Sequence, residues 1–340
     1  MKNTAIGVVG AGSWGTALAL LLSEKGYEVD LWVYEKELCE ILVEKRENVY
    51  FLPGFSLSGN VRPSADIKKV VANKSIVVLV VPTHVLRTTA ENMAPHLQRG
   101  CLAINASKGI ENSTLLTGHQ VLESVFKNSC KIGAVSGPTF AAEIARRAPS
   151  AIVAAAHDAE TARRIQELFS GPNLKVFASG DIAGVELGGA LKNVIAIATG
   201  IADGLKLGFN ARAALITRGL VEITRIGAAL GARPETFSGL SGLGDLVLTC
   251  TGDLSRNRSV GIQLGKGHKL SEITQNMKMV AEGILTVKSA WQLKKKFNIQ
   301  ASIIGETYKV LHEGKPPRQA LEDLMKVEIS TEFSGIKGLR

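Results

Sequence analysis

Short apolar runs alternate with segments of helical period along the first half of the chain. The runs are continuous and rich in β-branched residues, which is typical of strands that are covered on both faces. The strands predicted in this way are residues 5–9, 28–34, 75–81, 101–105, 131–136, 151–155 and 174–177. This alternation predicts a Rossmann-like, doubly wound α/β sheet.

The second half of the chain has a different pattern. After about Asp181 the apolar positions recur at helical spacing almost without interruption, and the short β-branched runs disappear. A chain of 340 residues is about twice the ~150 residues typical of one domain. We therefore predict an α/β domain at residues 1–182 and an all-α domain at residues 183–340. A glycine turn in the first and a lysine in an apolar helix of the second predict a dinucleotide-binding domain and a substrate and catalytic domain, respectively.

One predicted helix of the second half is apolar or small nearly all round. It covers residues 186–204 and carries Lys192 near its middle. A helix with no polar face is buried, and an ammonium group buried with it needs a carboxylate partner, a lowered pKa or a chemical use. Lys192 is therefore the first candidate for catalysis. The alternative is a lysine whose ammonium group reaches solvent at a helix end.

Three glycines follow the first predicted strand. Gly10, Gly12 and Gly15 stand between that strand and a helical segment, the arrangement that binds the pyrophosphate of a dinucleotide at a helix N-terminus. The acidic position of this fingerprint falls near Glu35, where a carboxylate favours the free ribose hydroxyl of NAD. The neighbouring Lys36 favours the 2′-phosphate of NADP, so the cofactor is NAD or NADP.

Two further loops follow predicted strands. Residues 105–111 place Lys108 on a turn, and residues 136–141 combine glycine and proline. Ligands of doubly wound sheets bind outside the carboxyl ends of the strands, so both loops are candidates for ligand binding. Each alone also fits an ordinary surface turn.

Polar residues of the helical half form two candidate sites. Asp245 follows a glycine-rich segment and is either a helix N-cap or the carboxylate partner of Lys192, and the two roles are compatible. Further on, Ser255 can cap a helix whose free amides, with Arg256 and Asn257, form a site for a dianion such as a substrate phosphate. The alternative is an exposed basic helix start.

Charge, cysteines and histidines exclude several classes of protein. The formal net charge is +9, but the basic runs are short and lack interleaved aromatic residues, so we expect no nucleic-acid partner. No uninterrupted apolar stretch reaches the length of a membrane span and no targeting signal is visible, so we expect a cytoplasmic protein without stable membrane insertion. The four cysteines lack paired spacing and the six histidines form no ligand pair, so we expect no metal.

Five segments, in this order, resemble the bacterial NAD(P)-dependent glycerol-3-phosphate dehydrogenase family. They are GAGSWGTA (10–17), NASKGIE (105–111), SGPTFAAE (136–143), GGALKNVIAIATGIADG (188–204) and GLGDLVLTCTGDLSRNR (242–258). The resemblance covers nearly the whole chain. It implies reversible reduction of dihydroxyacetone phosphate to sn-glycerol 3-phosphate, the head-group precursor of phospholipids, with NADPH or NADH as reductant.

The resemblance also implies roles for individual residues, with Lys192 as the general acid and base. The implied substrate-binding residues are Lys108, Gly137, Thr139, Lys192, Asp245, Thr249, Ser255, Arg256 and Asn257. The implied cofactor-binding residues are Gly10, Gly12, Ser13, Trp14, Gly15, Tyr34, Lys108, Ala141, Arg256, Val280 and Glu282. Position 34 is often arginine in the family, so Tyr34 argues against a strong preference for NADP.

Two other functions fit the same pattern. A β-hydroxyacid or sugar-acid dehydrogenase also combines a nucleotide domain, a helical domain and a catalytic lysine, but it acts on carboxylate substrates. A non-catalytic nucleotide-binding sensor would bind the cofactor without turnover, and it leaves Lys192, Asp245 and Arg256 without a role. The long apolar helices permit a homodimer.

Overall fold

The computed structural model describes residues 5–275, 277, 281–327, 331, 332, 334 and 335. These residues form two compact units, one with residues up to 107 and residues 118–182, the other with residues 108–117 and residues from 183 on. The sequence prediction places 108–117 in the first domain, but Ser289 Oγ of the second unit lies 3.2 Å from the Ile110 carbonyl oxygen and 2.6 Å from Asn112 Oδ1. The assignment of cofactor and substrate roles to the two domains stays a prediction.

The first unit is built on one large sheet. Its strands are β1 (Ala5–Val9), β2 (Glu28–Trp32), β3 (Glu47–Asn48), β4 (Leu52–Ser56), β5 (Val61–Ser64), β6 (Ile76–Leu79), β7 (Cys101–Asn105), β8 (Cys130–Ser136), β9 (Ser150–Ala156) and β10 (Leu174–Ser179). Its helices are α1 (Ser13–Glu24), α2 (Lys36–Lys45), α3 (Ile67–Val71), α4 (Thr83–Met93), α5 (Gly118–Phe126), α6 (Ala141–Ala145) and α7 (Ala159–Phe169). Eight strands pair in the order β10-β9-β8-β7-β6-β1-β2-β5, and β3 and β4 form a separate hairpin.

The strand directions confirm the predicted Rossmann-like sheet, with one reversal. Strands β1, β2, β5, β6, β7 and β8 are parallel to one another, whereas β9 runs antiparallel to β8 and β10 follows the direction of β9. The connection between β8 and β9 holds only the five-residue α6, shorter than the helix that a parallel crossover normally uses. The apolar runs of β9 and β10 predict strands but carry no information about direction.

The second unit is helical, which confirms the predicted all-α half. Its helices are α8 (Ile182–Gly204), α9 (Gly208–Ala229), α10 (Asp245–Thr251), α11 (Arg256–Gly265), α12 (Leu270–Gln275), α13 (Glu282–Lys296), α14 (Ser302–His312) and α15 (Pro317–Met325). Helix α8 is the core of this unit, because every residue from 184 to 202 is buried. By length and composition α8 passes the test for a membrane span, but 94% of its most apolar window is buried inside the protein, as in a core helix.

Glycines bring α8 and α11 into backbone contact. A Cβ atom on Gly200 would lie 2.2 Å from the carbonyl oxygen of Arg258, and one on Gly261 would lie 2.1 Å from that of Ile197. One turn further on, a Cβ on Gly204 would lie 2.9 Å from the Cα of Gly265. No side chain fits between the helices at these positions, so their axes approach closely and run in the same direction.

Candidate active site

The glycine loop has the geometry that the sequence predicts. Gly10 follows β1 with φ at +119°, a conformation that L side chains rarely adopt, and a Cβ on Gly15 would lie 1.8 Å from the Gly10 carbonyl oxygen. A Cβ on Gly12, by contrast, would point into open space. Gly12 also occupies the N-cap of α1 without any side-chain cap. The loop therefore leaves room for an anion at the start of α1.

Three buried polar atoms support a ligand at the same edge of the sheet. Within the described residues, Trp14 Nε1, Thr83 Oγ1 and Ser136 Oγ are buried and have no hydrogen-bond partner. They follow or end β1, β6 and β8, so all three lie toward the carboxyl edge of the parallel strands. Because buried polar groups are normally paired, a bound dinucleotide fits this edge. The sequence analysis identified Trp14 and the candidate loop that begins at Ser136, but it missed Thr83, which no motif marks.

Candidate ribose-binding residues lie past the end of β2. Tyr34 is 76% exposed, and Glu35 and Lys36 are exposed beside it at the start of α2. Their positions suit contacts with the adenosine ribose of either NAD or NADP.

The loop after β8 is shaped by Gly137. Its φ is +147°, and a Cβ there would lie 2.9 Å from the Cα of Ile152, so a larger residue would be strained. Thr139 Oγ1 donates a hydrogen bond to the Gly137 carbonyl oxygen at 3.2 Å. Ala141 begins the short α6. The binding roles of Gly137, Thr139 and Ala141 stay predictions.

A buried ion-pair cluster lies in the second unit. The Lys192 side chain, 7% exposed, donates a hydrogen bond from Nζ to Oδ1 of Asp245, whose side chain is 0% exposed. Lys108 Nζ donates to the other carboxylate oxygen, Oδ2, at 2.7 Å. Thr249 Oγ1 donates to the main-chain oxygen of Asp245 at 2.6 Å. The structure therefore brings together four of the predicted site residues.

Burial sets the proton affinity of this cluster. Desolvation lowers the pKa of Lys192 to about 7, with the charge of Asp245 opposing the shift and that of Lys108 adding to it. A lysine with a pKa near neutrality can both give and take a proton at physiological pH. The alternative that the Lys192 ammonium group reaches solvent at a helix end is wrong.

The structure decides between the two interpretations of Asp245. Asp245 is the first residue of α10, and the N-cap position belongs to Gly244, without a side-chain cap. The N-cap interpretation is therefore wrong. The carboxylate of Asp245 instead contacts Lys192, as the other interpretation predicts.

The start of α11 holds the candidate anion site. Ser255 is its N-cap, and its Oγ accepts a hydrogen bond from the Arg258 amide at 3.2 Å. Asn257 Oδ1 accepts from the Gly283 amide at 3.0 Å, and its Nδ2 donates to Asn193 Oδ1 at 2.9 Å. In the described part of the chain Nδ2 has this partner alone, so one amide hydrogen is left for a ligand.

Arg256 follows Ser255 as the first residue of α11, and its side chain as a whole is exposed although neighbouring protein atoms surround its guanidinium group. Desolvation of its guanidinium lowers the pKa of Arg256, and the negative charge of Glu282 at the start of α13 opposes this shift. Glu282 and Arg256 are therefore electrostatic neighbours, consistent with a shared role. Val280, the other cofactor contact expected in this segment, lies outside the described residues.

Asn193 is the residue of this cluster that the sequence analysis missed. It is buried next to Lys192 in the mostly apolar α8. The burial argument that singled out Lys192 applies to Asn193 as well, because a buried amide also needs a partner. Gly283 carried no comparable signal.

The glycine loop on a parallel sheet and the buried lysine–aspartate pair in a helical unit define the protein as an NAD(P)-dependent dehydrogenase. Two family models match the chain, described as the N-terminus (residues 5–162) and the C-terminus (residues 181–322) of NAD-dependent glycerol-3-phosphate dehydrogenase. The chain belongs to this family, as the sequence predicts.

Relatives and solved structures agree with this assignment. A glycerol-3-phosphate dehydrogenase [NAD(P)+] of Syntrophotalea carbinolica is 52% identical over 330 residues, covering 96% of this chain and 99% of the relative. A glycerol-3-phosphate dehydrogenase [NAD(P)+] of Geobacter metallireducens is 51% identical over 322 residues, covering 94% of this chain and 96% of the relative. The crystal structure of glycerol-3-phosphate dehydrogenase from Coxiella burnetii matches with a TM-score of 0.93 at 36% identity, covering 96% of this chain and 100% of that one.

Proposed function

We propose that this protein interconverts dihydroxyacetone phosphate and sn-glycerol 3-phosphate with NADP or NAD. The observation that carries the proposal is the buried pair of Lys192 and Asp245, with a lysine pKa of about 7. Family membership and the names of the relatives supply the substrate.

The glycine loop after β1 and the buried polar atoms at the carboxyl edge of the sheet would hold NAD(P)H, which would supply the hydride for C2 of the ketone. Lys192 gives its proton to the ketone oxygen as negative charge develops there, and it takes the proton back when the alcohol is oxidised. Asp245 orients the Lys192 ammonium group through Oδ1, and the positive charge of Lys108 stabilises the developing oxyanion.

The substrate phosphate binds at the start of α11. The amides capped by Ser255, the free N–H of Asn257 and the guanidinium of Arg256 provide its hydrogen bonds. Holding the phosphate fixes the reacting carbon, because binding energy from a remote group restricts the motion of the substrate.

An assay of dihydroxyacetone phosphate reduction with NADPH and then with NADH tests the proposal. We expect turnover with at least one cofactor and none with ketones in which a carboxylate replaces the phosphate. Turnover on carboxylate substrates alone would favour a β-hydroxyacid or sugar-acid dehydrogenase. Cofactor binding without turnover on any ketone would favour a nucleotide sensor. The ratio of the rates with NADPH and with NADH gives the cofactor preference, for which Tyr34 is an expected determinant.

We further propose that the protein is a soluble, cytoplasmic homodimer that supplies glycerol 3-phosphate for phospholipid synthesis. The reaction product itself supports this role, since it is the head-group precursor. Depleting the protein should make phospholipid synthesis depend on added glycerol 3-phosphate, and sedimentation equilibrium of the purified chain measures the oligomeric state.

A further inference from the structure

Two histidines and a glutamate that the proposed reaction does not use lie together in the first unit. His119 and Glu123 lie on α5, and His157 directly follows β9. One ligand atom from each residue lies within 4.8 Å of those of the other two. His157 Nε2 is 3.0 Å from Glu123 Oε1, and the rings of His119 and His157 are 5.5 Å apart between centroids.

The fold creates this cluster from distant parts of the sequence. His119 and Glu123 are separated by four residues on a helix, so their side chains leave the same face one turn apart. Because β9 runs antiparallel to β8, with Ala156 opposite Gly133, the chain at His157 heads toward the start of β8. The cluster therefore lies away from the carboxyl edge of the parallel strands, where the glycine loop lies.

The donor set fits a borderline divalent metal. Two imidazole nitrogens and one carboxylate oxygen are a ligand set that zinc uses in three-residue sites, with a fourth position left for water. His119 is only 3% exposed, which restricts its ring. Glu123 and His157 are more exposed, with side-chain exposures of 42% and 62%, so an ion can reach them from solvent.

We propose that His119, Glu123 and His157 bind one zinc ion, which ties α5 to the end of β9. The ion replaces the hydrogen bond between Glu123 and His157 by a bond from each residue to the metal. Zinc binding stabilises the fold, since a ligand that binds the folded but not the unfolded chain shifts the unfolding equilibrium toward the folded state. The sequence analysis expects no metal because the histidines form no ligand pair along the chain. The fold brings His119, Glu123 and His157 together from separate elements.

Calorimetric titration of tag-free, full-length, chelator-treated protein with Zn²⁺ tests the site. We expect one Zn²⁺ per chain in the wild type and affinity lower by at least about tenfold in His157→Ala and Glu123→Gln, since each loses a ligand. Both positions are partly exposed, so these variants should fold, which circular dichroism checks. His268→Ala, at an exposed histidine outside the cluster, is the matched control and should bind like the wild type.

Thiols also bind zinc, and Cys101 Sγ lies 2.9 Å from Cys130 Sγ. The titration is therefore repeated in a Cys101→Ala, Cys130→Ala background, where the single Zn²⁺ should persist. Zn²⁺ but not Mg²⁺, which prefers oxygen ligands, should raise the melting temperature of the wild type and not of His157→Ala. The proposal is overturned by absence of zinc binding, by equal binding in His157→Ala and Glu123→Gln, or by loss of binding in the cysteine-free background.

Discussion

Lys192 and Asp245 form a buried ion pair in which the carboxylate is shared. One oxygen accepts from Lys192 Nζ, and the other is held by Lys108 at 2.7 Å. Burial lowers the pKa of Lys192, and the positive charge of Lys108 on the same carboxylate adds to this effect, so Lys192 gives up its proton more readily than an exposed lysine does. This arrangement lets the same group act as acid and as base.

Lys192→Ala should collapse turnover in both directions while leaving NADPH binding nearly intact. A positioned general acid contributes about 10²- to 10⁴-fold, so kcat should fall by at least about 100-fold. Steady-state rates and NADPH fluorescence measure the two quantities. Lys266→Ala, at an exposed lysine, is the control. Retention of more than about a tenth of wild-type turnover would contradict the role of Lys192.

Asp245→Asn should move the pH profile. In the wild type, kcat/KM for reduction should fall as pH rises through about 7, the pKa of Lys192, because the protonated lysine is the acid; the oxidation rate should rise over the same range. Asp245 raises the pKa of Lys192, so its loss should shift both inflections to lower pH by about one unit or more. The substrate phosphate titrates in the same way in the wild-type and Asp245→Asn assays, so it does not contribute to the difference between their pH profiles. An unchanged or upward shift would refute this coupling.

Arg256→Ala should chiefly weaken binding of the phosphorylated substrate. Hydrogen bonds to charged groups contribute about 1.5–3 kcal/mol, which corresponds to a KM for dihydroxyacetone phosphate higher by roughly 10- to 150-fold. The KM for NADPH is measured alongside, because Arg256 is also an expected cofactor contact. Arg233→Ala, at an exposed position, is the control. An unchanged KM for dihydroxyacetone phosphate would reject the phosphate assignment.

Glu222→Gln should destabilise the helical unit. Glu222 of α9 accepts the amides of Ile303 and Ile304, at 2.8 and 3.0 Å, one at each carboxylate oxygen. Glutamine offers a single acceptor, so one buried amide loses its partner at a cost of about 1–3 kcal/mol. Thermal unfolding should show a lower melting temperature than in the control Glu235→Gln.

The same substitution has a pH signature. Desolvation raises the pKa of Glu222 to about 7, against the lowering effect of these amides. A raised pKa means that the stabilising contribution of Glu222 is complete below about pH 4.5 and is lost as pH rises through about 7. The deficit of Glu222→Gln should therefore shrink as pH rises from about 4.5 to about 7; a deficit that grows with pH would contradict this sign.

Gly261→Ala should destabilise the contact between α8 and α11. The new Cβ would lie 2.1 Å from the Ile197 carbonyl oxygen and 2.8 Å from the Ile201 amide nitrogen. Overpacking costs about 1–3 kcal/mol, more than the gain of about 1 kcal/mol from replacing glycine in a helix. In α14, Gly305→Ala is the control, because its Cβ would lie at an ordinary 3.6 Å from Lys294. Urea unfolding should give a higher free energy of unfolding for Gly305→Ala than for Gly261→Ala. The reverse order would be inconsistent with the packing.

The sequence predicts what depends on local pattern. The apolar runs give seven of the eight strands of the large sheet and miss only β5, a short strand with the polar sequence VRPS. The glycine spacing gives the loop after β1, and a lysine in an apolar helix gives the buried Lys192. All three follow from the chemistry of neighbouring residues along the chain, and the structure confirms them.

Tertiary pairing is what the sequence leaves undetermined. Periodicity does not reveal that Asn193 meets Asn257 or that Lys108 shares Asp245 with Lys192, because these partners lie on different elements. The direction of β9 is undetermined for the same reason. His119 and His157 carry no signal until the antiparallel strand places them side by side.

The glycine contacts of α8 bear on any attempt to redesign this protein. At Gly200 and Gly261 the distance between α8 and α11 is limited by main-chain atoms of both helices. Substitution of nearby side chains therefore does not alter that distance, or the spacing between Asn193 on α8 and Asn257 on α11. A redesign for a bulkier substrate must therefore change the packing of α8 against α11. Substitutions of the surrounding side chains leave the distance between these two helices unchanged.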